Sequence, residues 1–426
     1  MRRPPGRRAL LAGATVAAGL AVLALVTRVG PAVTLAMSLA LPATEPWLAL
    51  ALPDPVREEI VLAAGGRQIP ADLYRAAKPR AALLLVHGLS RAGRRHPELA
   101  RLARLLARHG ALVLVPELEG LAAFRLGGRE VEDIRVAIRY LVGLGHPVGV
   151  AGLSFGAGPA LLAAADFPDL GLVASFGGYA DLGNVIAYIT TGVHTFGGRR
   201  HAQRQEEYNR WKLLALLTGF VEDARDRELL GAVAERKLAD PATDTGGLEA
   251  QLGPEGRAAL RLALNRREGA VAALLADLSP RARAAVALLS PLAAVPRLRG
   301  RLLVAHGAAD DSIPFTESLR LAEAAGGRAR VAILRTFHHT GPRPFWRALG
   351  ERAGDAWRLL RLADDLLRID ERRLRRAELE PAIVVTELHP DAALPALAID
   401  GLHEPPGILA RGAVRPEAPD LHRRHA

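Results

Sequence analysis

The segment Gly152-Leu153-Ser154-Phe155-Gly156 is the part of the chain best suited to do chemistry. It follows an apolar run over 147–151 that predicts a buried strand, and it precedes a segment over 156–165 that predicts a helix. A G-x-S-x-G sequence between a strand and a helix is typical of a sharp turn that lifts a serine hydroxyl above a sheet. The glycines are needed there because a tight turn leaves no room for Cβ atoms. Ser154 is therefore the candidate nucleophile.

The elements around this turn alternate between short apolar runs and amphipathic segments. The apolar runs predict strands buried on both faces, and leucines at helical spacing predict helices. Because strand and helix alternate with short connections, the pattern predicts parallel βαβ units and an α/β fold. The predicted strands are 82–86, 111–115, 147–151, 171–176, 301–305 and 331–334, and the predicted helices are 97–109, 131–144, 156–165, 315–325 and 345–367. A hairpin over 60–74 precedes them.

The alternation is interrupted between residues 183 and 289, where the sequence is largely helical. This insertion is too long for a plain loop, and its predicted helices are 211–217, 226–238 and 256–278. We therefore expect one α/β domain formed by 45–182 and 290–368, an insertion over 183–289, and a Pro-rich, mobile tail over 369–426.

The N-terminal segment 1–44 is expected to be a membrane anchor or signal segment. Arg2, Arg3, Arg7 and Arg8 precede an uncharged, mostly apolar stretch over 9–26, whose 18 residues are the lower end of a membrane span. An uncleaved signal-anchor is favoured over a cleaved signal peptide or a buried helix, because no clean cleavage site follows. The excess of arginines before the stretch predicts an extracytoplasmic catalytic domain.

The overall composition excludes several classes of protein. The net charge is +11, but only three of the 56 basic residues are lysines and the arginines are spread along the whole chain. With aromatic residues at 4% and no basic run, nucleic-acid binding is not expected. The absence of cysteine from the sequence excludes disulfides, thiolate catalysis and Cys-ligated metal sites.

In this context the G-x-S-x-G motif resembles that of the α/β-hydrolase superfamily, and the resemblance covers residues 58–367. It implies an α/β-hydrolase fold of the esterase or dienelactone-hydrolase kind, with a mostly parallel central sheet flanked by helices and the insertion as a helical cap. His87-Gly88 ends the first buried strand, where that family places its oxyanion loop. The backbone N–H groups of Leu89 and Phe155 are then the implied oxyanion hole. His87 is expected to brace that loop.

The segment from His306 to Pro314 resembles the family's H-G-x-x-D-x-x-V-P sequence, with isoleucine in place of valine. The resemblance implies Asp310 as the acid of a catalytic triad, and it leaves Asp311 and Asp181 as alternatives. After the last predicted strand, Phe337-His338-His339-Thr340-Gly341 supplies the histidine. His339 is the favoured base, with His338 as the alternative, and the chain order Ser, Asp, His is that of the family.

The resemblance implies a serine hydrolase that cleaves ester-like small-molecule acyl substrates through an acyl-enzyme, with no cofactor and no metal. A prolyl-oligopeptidase-like peptidase is an alternative, although Ala157 stands where that group usually has a second glycine. Acyl transfer to an acceptor other than water is another alternative. From a different class, a catalytically silent hydrolase fold used for binding also remains. Two histidines near the start of the insertion, His194 and His201, are expected to be surface or packing residues.

Overall fold

Eight strands form the central sheet of the computed structural model, which describes residues 26–335, 337–338, 341–342 and 349–369. In chain order, the strands of this sheet and of two separate pairs are β1 (Val56–Ala64), β2 (Arg67–Arg75), β3 (Ala81–Val86), β4 (Ala111–Pro116), β5 (Val148–Leu153), β6 (Leu172–Phe176), β7 (Val193–Phe196), β8 (Arg199–Ala202), β9 (Arg301–Gly307), β10 (Ala329–Leu334), β11 (Phe337–His338) and β12 (Gly341–Pro342). The sheet order is β1-β2-β4-β3-β5-β6-β9-β10, and β7–β8 and β11–β12 are separate two-stranded pairs.

Only β2 runs against the other strands of the sheet, since it pairs antiparallel with both β1 and β4 while the remaining pairs are parallel. The predicted mostly parallel α/β-hydrolase sheet is therefore confirmed. Its parallel strands end at one common edge, where the loops after β3, β5, β6, β9 and β10 meet. Ligands and catalytic groups of open α/β sheets are placed at this edge.

Helices cover both faces of the sheet. They are α1 (26–40), α2 (Glu45–Ala51), α3 (Pro97–Arg108), α4 (Glu119–Ala122), α5 (Gly128–Gly143), α6 (Ala157–Ala164), α7 (Leu182–Thr191), α8 (Glu207–Thr218), α9 (Ala224–Ala239), α10 (Gly246–Glu249), α11 (Pro254–Ala263), α12 (Val271–Ala276), α13 (Pro280–Leu288), α14 (Phe315–Ala324) and α15 (Leu349–Leu367).

The two faces of the sheet bury two separate apolar clusters. Along β3, Leu84 and Val86 pack with residues of α5, α6 and α14, whereas Leu83 and Leu85 pack with residues of α1, α3 and α15. Successive side chains of a strand point to opposite faces, so an uninterrupted apolar run supplies both clusters at once. This is why the buried strands could be predicted from short apolar runs alone.

The segment between β6 and β9 holds the elements α7 to α13 and the hairpin β7–β8. The hairpin was not predicted, although its turn lies at Gly197-Gly198, where both residues have positive φ as a tight hairpin turn requires. The helix predicted over 256–278 is in fact divided into α11 and α12. Asn265 causes this break, because its side chain accepts from the Arg267 N–H and donates to the Arg267 carbonyl, in place of helical hydrogen bonds.

The predicted membrane anchor is contradicted. Over the ranges that the structure describes, no helix has both the length and the apolar character needed to cross a membrane, so the predicted transmembrane signal-anchor and the extracytoplasmic localisation are wrong. Of the predicted stretch 9–26, only Val26 lies among the described residues. The apolar residues that follow it are used for packing, since Ala32 and Leu35 of α1 are buried against the hydrolase core. The tail over 370–426 lies outside the described residues.

Candidate active site

Ser154 occupies a tight turn between β5 and α6. Its φ is +51°, in the left-handed region that residues with a side chain seldom adopt. The flanking glycines permit the turn: a Cβ at Gly152 would lie 2.4 Å from the Cα of Ala157, and a Cβ at Gly156 would lie 2.0 Å from the carbonyl oxygen of His87. The G-x-S-x-G spacing thus follows from close backbone contacts on both sides of the serine.

The loop after β3 packs directly against the serine. A Cβ at Gly88 would lie 2.8 Å from the Ser154 Cβ and 3.4 Å from the Ser154 Oγ. Leu89 follows Gly88 on this loop, and Phe155 follows Ser154 on the other backbone segment. Leu89 and Phe155, which are predicted to form the oxyanion hole, therefore belong to the two backbone segments that meet beside Ser154 Oγ.

His87 braces this loop from within the core. It is 2% exposed, its Nε2 accepts from the Leu118 backbone N–H at 3.1 Å, and its Nδ1 donates to the Gly88 carbonyl at 2.8 Å. Because a backbone N–H can only donate, Nε2 is unprotonated and the ring is the neutral Nδ1–H tautomer. Burial lowers the pKa of His87, which keeps it neutral. A ring with both nitrogens occupied in this way has the bracing role expected from the sequence.

The predicted acid Asp310 lies in the turn after β9. It is 3% exposed, and its Oδ1 accepts hydrogen bonds from the backbone N–H groups of Ser312 and Ile313, both at 2.9 Å. His306 closes the same turn, because its Nε2 donates to the Ile313 carbonyl at 2.9 Å while its Nδ1 accepts from the Ser318 hydroxyl at 2.6 Å. These bonds fix the carboxylate in one orientation, as an acid that orients an imidazole requires.

The two alternative acids have other surroundings. Asp181 is the N-cap of α7, and its Oδ1 accepts from the Asn184 backbone N–H at 3.0 Å. Its own backbone N–H donates to the buried Glu317. Asp311 is held through its backbone carbonyl, which accepts from the Asn209 side chain at 3.0 Å. Of the three aspartates, Asp310 is the one whose carboxylate accepts from two backbone N–H groups.

The predicted histidines follow β10, which lies at the edge of the sheet beside β9. The backbone of His338 forms β11 and pairs with Gly341 of β12, and His339 lies outside the described residues. Since β5, β9 and β10 are parallel, the segments that carry Ser154, Asp310 and the two histidines all leave the sheet at the same edge.

Several side chains of the insertion that contact the turn after β9 were not found by sequence analysis. Tyr188, Gln203 and Asn209 each donate a hydrogen bond to this turn, across more than 100 positions of the sequence. No local motif carries such a signal. Within the described part of the chain, no group of three or more His, Cys, Asp or Glu residues is arranged to hold a metal ion.

Comparisons with known proteins give fold-level likenesses. No family model matches the sequence, and no curated protein matches it significantly. The chain is similar to a 2,6-dihydroxy-pseudo-oxynicotine hydrolase (17% identity, 74% of this chain and 68% of that chain covered, TM-score 0.43). It is also similar to a Pyrococcus horikoshii acylaminoacyl peptidase (12% identity, 74% of this chain and 41% of that chain covered, TM-score 0.41). A third similar structure is the esterase domain of a Rhodothermus marinus protein (17% identity, 74% of this chain and 98% of that chain covered, TM-score 0.39). The chain spans less than half of the peptidase's length.

Proposed function

We propose that this chain is a serine hydrolase that cleaves ester-like acyl substrates, with Ser154 as the nucleophile, His339 as the general base and Asp310 as the acid. The observation that carries the proposal is the backbone of Ser154, a non-glycine residue at φ +51° between glycines that have no room for a side chain. Surrounding structure must hold such a conformation in place, and conformations of this kind cluster at functional sites.

The reaction we propose has two steps. Ser154 Oγ attacks the acyl carbonyl carbon while His339 takes the hydroxyl proton, and His339 then gives that proton to the leaving oxygen as the ester bond breaks. In the second step His339 deprotonates a water that attacks the acyl-enzyme, and His339 then gives the proton to Ser154 Oγ as the acyl–serine bond breaks and the acid leaves. Asp310 holds the imidazole in the correct tautomer and stabilises its protonated form.

Stabilisation of the negative oxygen is assigned to the backbone N–H groups of Leu89 and Phe155. This assignment is supported by the close approach of Gly88 to Ser154, because that contact puts the loop after β3 beside the proposed nucleophile. Removing one donor from such a site typically costs about a hundredfold to a thousandfold in kcat. The bracing of the loop by His87 keeps this geometry fixed before substrate arrives.

The domain organisation that we propose assigns 45–182 and 290–368 to the hydrolase domain and 183–289 to a cap. A cap over the catalytic edge of the sheet excludes water and supplies the substrate pocket. The small-molecule acyl substrate would therefore be chosen by side chains of the insertion as well as by the loops of the sheet.

The first experiment is labelling of the full chain with a fluorophosphonate probe, which reacts covalently with an activated serine. The full chain is used because α1 contributes buried residues to the core. Labelling is expected to be lost in Ser154→Ala and strongly reduced in His339→Ala and Asp310→Ala. Ser279→Ala, which removes the N-cap hydroxyl of α13 together with its contact to Glu255, is the matched control and should label like the wild type. A folded wild-type protein that is not labelled would instead indicate a binding protein.

Two further comparisons decide between the alternatives. Loss of labelling in His338→Ala, with His339→Ala unaffected, would identify His338 as the base. Turnover of matched ester and amide substrates, with and without an alcohol acceptor, separates an esterase from a peptidase and from an acyltransferase. The proposed esterase hydrolyses the ester faster than the amide and forms acid rather than a new ester.

A further inference from the structure

The turn that carries Asp310, here called the acid turn (residues 309–313), is held by side chains of the insertion. Three successive backbone carbonyls of this turn each accept a hydrogen bond from a different insertion residue. The donors and distances are Gln203 Nε2 to Ala309 at 3.1 Å, Tyr188 Oη to Asp310 at 2.7 Å, and Asn209 Nδ2 to Asp311 at 3.0 Å. These donors come from α7, from the segment after β8, and from α8, so three separate parts of the insertion converge on one turn.

Asn209 makes a second contact with the acid turn. Its Oδ1 accepts from the Ser312 hydroxyl at 3.1 Å, and that hydroxyl in turn accepts from Lys212 Nζ at 3.3 Å. Because the carboxamide faces a carbonyl on one side and a hydroxyl donor on the other, its orientation is fixed by its partners. Asn209 is 3% exposed and Tyr188 is fully buried, so water cannot easily replace either of them.

The hydrolase domain holds a different part of the same turn. Its own bonds run from the Ser312 and Ile313 N–H groups to the Asp310 carboxylate, and from His306 to the Ile313 carbonyl. These bonds fix the carboxylate relative to its turn. The carbonyls of residues 309–311, by contrast, are bonded to the insertion, so the place of the turn depends on the insertion as well as on its bonds to β9 and β10.

We propose that Tyr188, Gln203 and Asn209 of the insertion are positioning residues that set the place of the acid turn, and thereby the strength of the interaction between Asp310 and the catalytic histidine. This inference rests on the proposed function and extends it. The insertion then has a second role besides covering the site, because it holds the carbonyl groups of the acid turn.

The consequence for catalysis can be separated from a loss of stability. A carboxylate beside an imidazole favours the protonated ring and raises its pKa. If the acid turn is loosened, the pKa of the catalytic histidine falls and the acidic limb of the pH profile of kcat/KM moves to lower pH. Apart from Tyr188 itself, the described titratable groups that face the turn are Lys212 from α8, His306 from β9 and Asp311 within the turn. All three are kept in the test variants.

The test uses Asn209→Ala and Tyr188→Phe in the full chain, with hydrolysis of a p-nitrophenyl ester as the assay. We expect kcat to fall about tenfold in Asn209→Ala and about threefold to tenfold in Tyr188→Phe, with KM within about threefold of wild type and the acidic limb moved by about half a pH unit. Asn209→Asp should be at least as poor as Asn209→Ala, because a carboxylate oxygen would face the Asp311 carbonyl.

Matched controls remove the same groups elsewhere in the chain. Tyr179→Phe removes a fully buried hydroxyl that donates to the Leu289 carbonyl, and Asn265→Ala removes a buried carboxamide bound to Arg267. Both should lower Tm without moving the pH profile. If the Asn209 and Tyr188 variants behave like these controls, the positioning role is refuted.

Two outcomes keep the inference distinct from the proposed function. If Asp310→Ala retains wild-type kcat, the proposed triad fails and this inference falls with it. If Asp310→Ala is inactive while Tyr188→Phe and Asn209→Ala are wild type in kcat and pH profile, only the inference is overturned. Should Asn209→Ala fail to fold, Tyr188→Phe carries the test, since it loses a single oxygen atom.

Discussion

Replacing Gly88 by alanine tests the close approach of the loop after β3 to the serine. The new Cβ would lie 2.8 Å from the Ser154 Cβ and 3.1 Å from the Leu153 carbonyl oxygen. Carbon atoms in contact prefer a separation of about 3.5–4.0 Å, so the loop and the serine must move apart by roughly 0.7 Å or more. Neither side can yield easily, since one contact is a main-chain carbonyl and the other is the Cβ of a residue held at φ +51°.

Gly88→Ala is expected to lower the rate of catalysis more than the stability of the folded protein. A misplacement of about 1 Å between catalytic groups lowers the rate about a hundredfold, which corresponds to about 2.7 kcal/mol of activation free energy. The steric clash itself is of the kind that costs about 1–3 kcal/mol in a well-packed site. Gly88→Ala should therefore stay folded while kcat for an ester and the rate of fluorophosphonate labelling both fall about a hundredfold.

The control is Gly143→Ala at the exposed end of α5, where a new Cβ meets no atom within 4 Å. This change should leave activity unchanged and raise stability slightly, because alanine is favoured over glycine in a helix by about 0.5–1 kcal/mol. Activity is compared at a temperature at least 15 °C below the Tm of each variant, so that the folded fraction is the same. Equal labelling rates in the two variants would refute the contact between Gly88 and the nucleophile.

Three further predictions concern stability and the choice of acid. Arg94→Ala should lower the free energy of unfolding by about 3 kcal/mol in urea titration, because it strips a partner from the buried Asp72, whereas the exposed Arg95→Ala should cost under about 0.5 kcal/mol. Burial lowers the pKa of His194 from 6.5 to about 4. Between these two pH values the unfolded chain binds more protons than the folded chain, so the free energy of unfolding decreases as the pH falls. His194→Gln should flatten this part of a curve of Tm against pH. Asp181→Ala should cost about 1 kcal/mol through its lost helix cap, measured by Tm, and leave fluorophosphonate labelling intact.

The sheet and the turn of Ser154 could be predicted because their signals are local. Each buried strand is a short apolar run, and the G-x-S-x-G segment lies between one such run and a helix. The glycine at 152 is required by its contact with Ala157, which is close in sequence, and the glycine at 156 by its contact with the carbonyl of His87, directly after the adjacent strand β3. Local patterns of this kind are the most dependable part of a sequence.

The remaining errors have physical causes that do not show in local patterns. The helix over 256–278 looked continuous because its leucines keep a helical spacing, yet the side chain of Asn265 bonds to the backbone of Arg267 and stops it. The hairpin β7–β8 is short and half-buried, without the alternation that predicts a strand. The predicted membrane span over 9–26 lies outside the described residues except for Val26, and the apolar residues Ala32 and Leu35 of α1 that follow it pack on the domain core.

The turn of Ser154 and the acid turn are held in place by different kinds of contact. The turn of Ser154 is held by close backbone contacts, so an added Cβ, as in Gly88→Ala, disturbs it. The carbonyls of the acid turn accept hydrogen bonds from Tyr188, Gln203 and Asn209, and truncating one of these side chains weakens the contact without any clash. We therefore expect the nucleophile turn to be less sensitive than the acid turn to changes in the insertion. A change in the insertion can thus lower turnover while leaving the nucleophile turn intact.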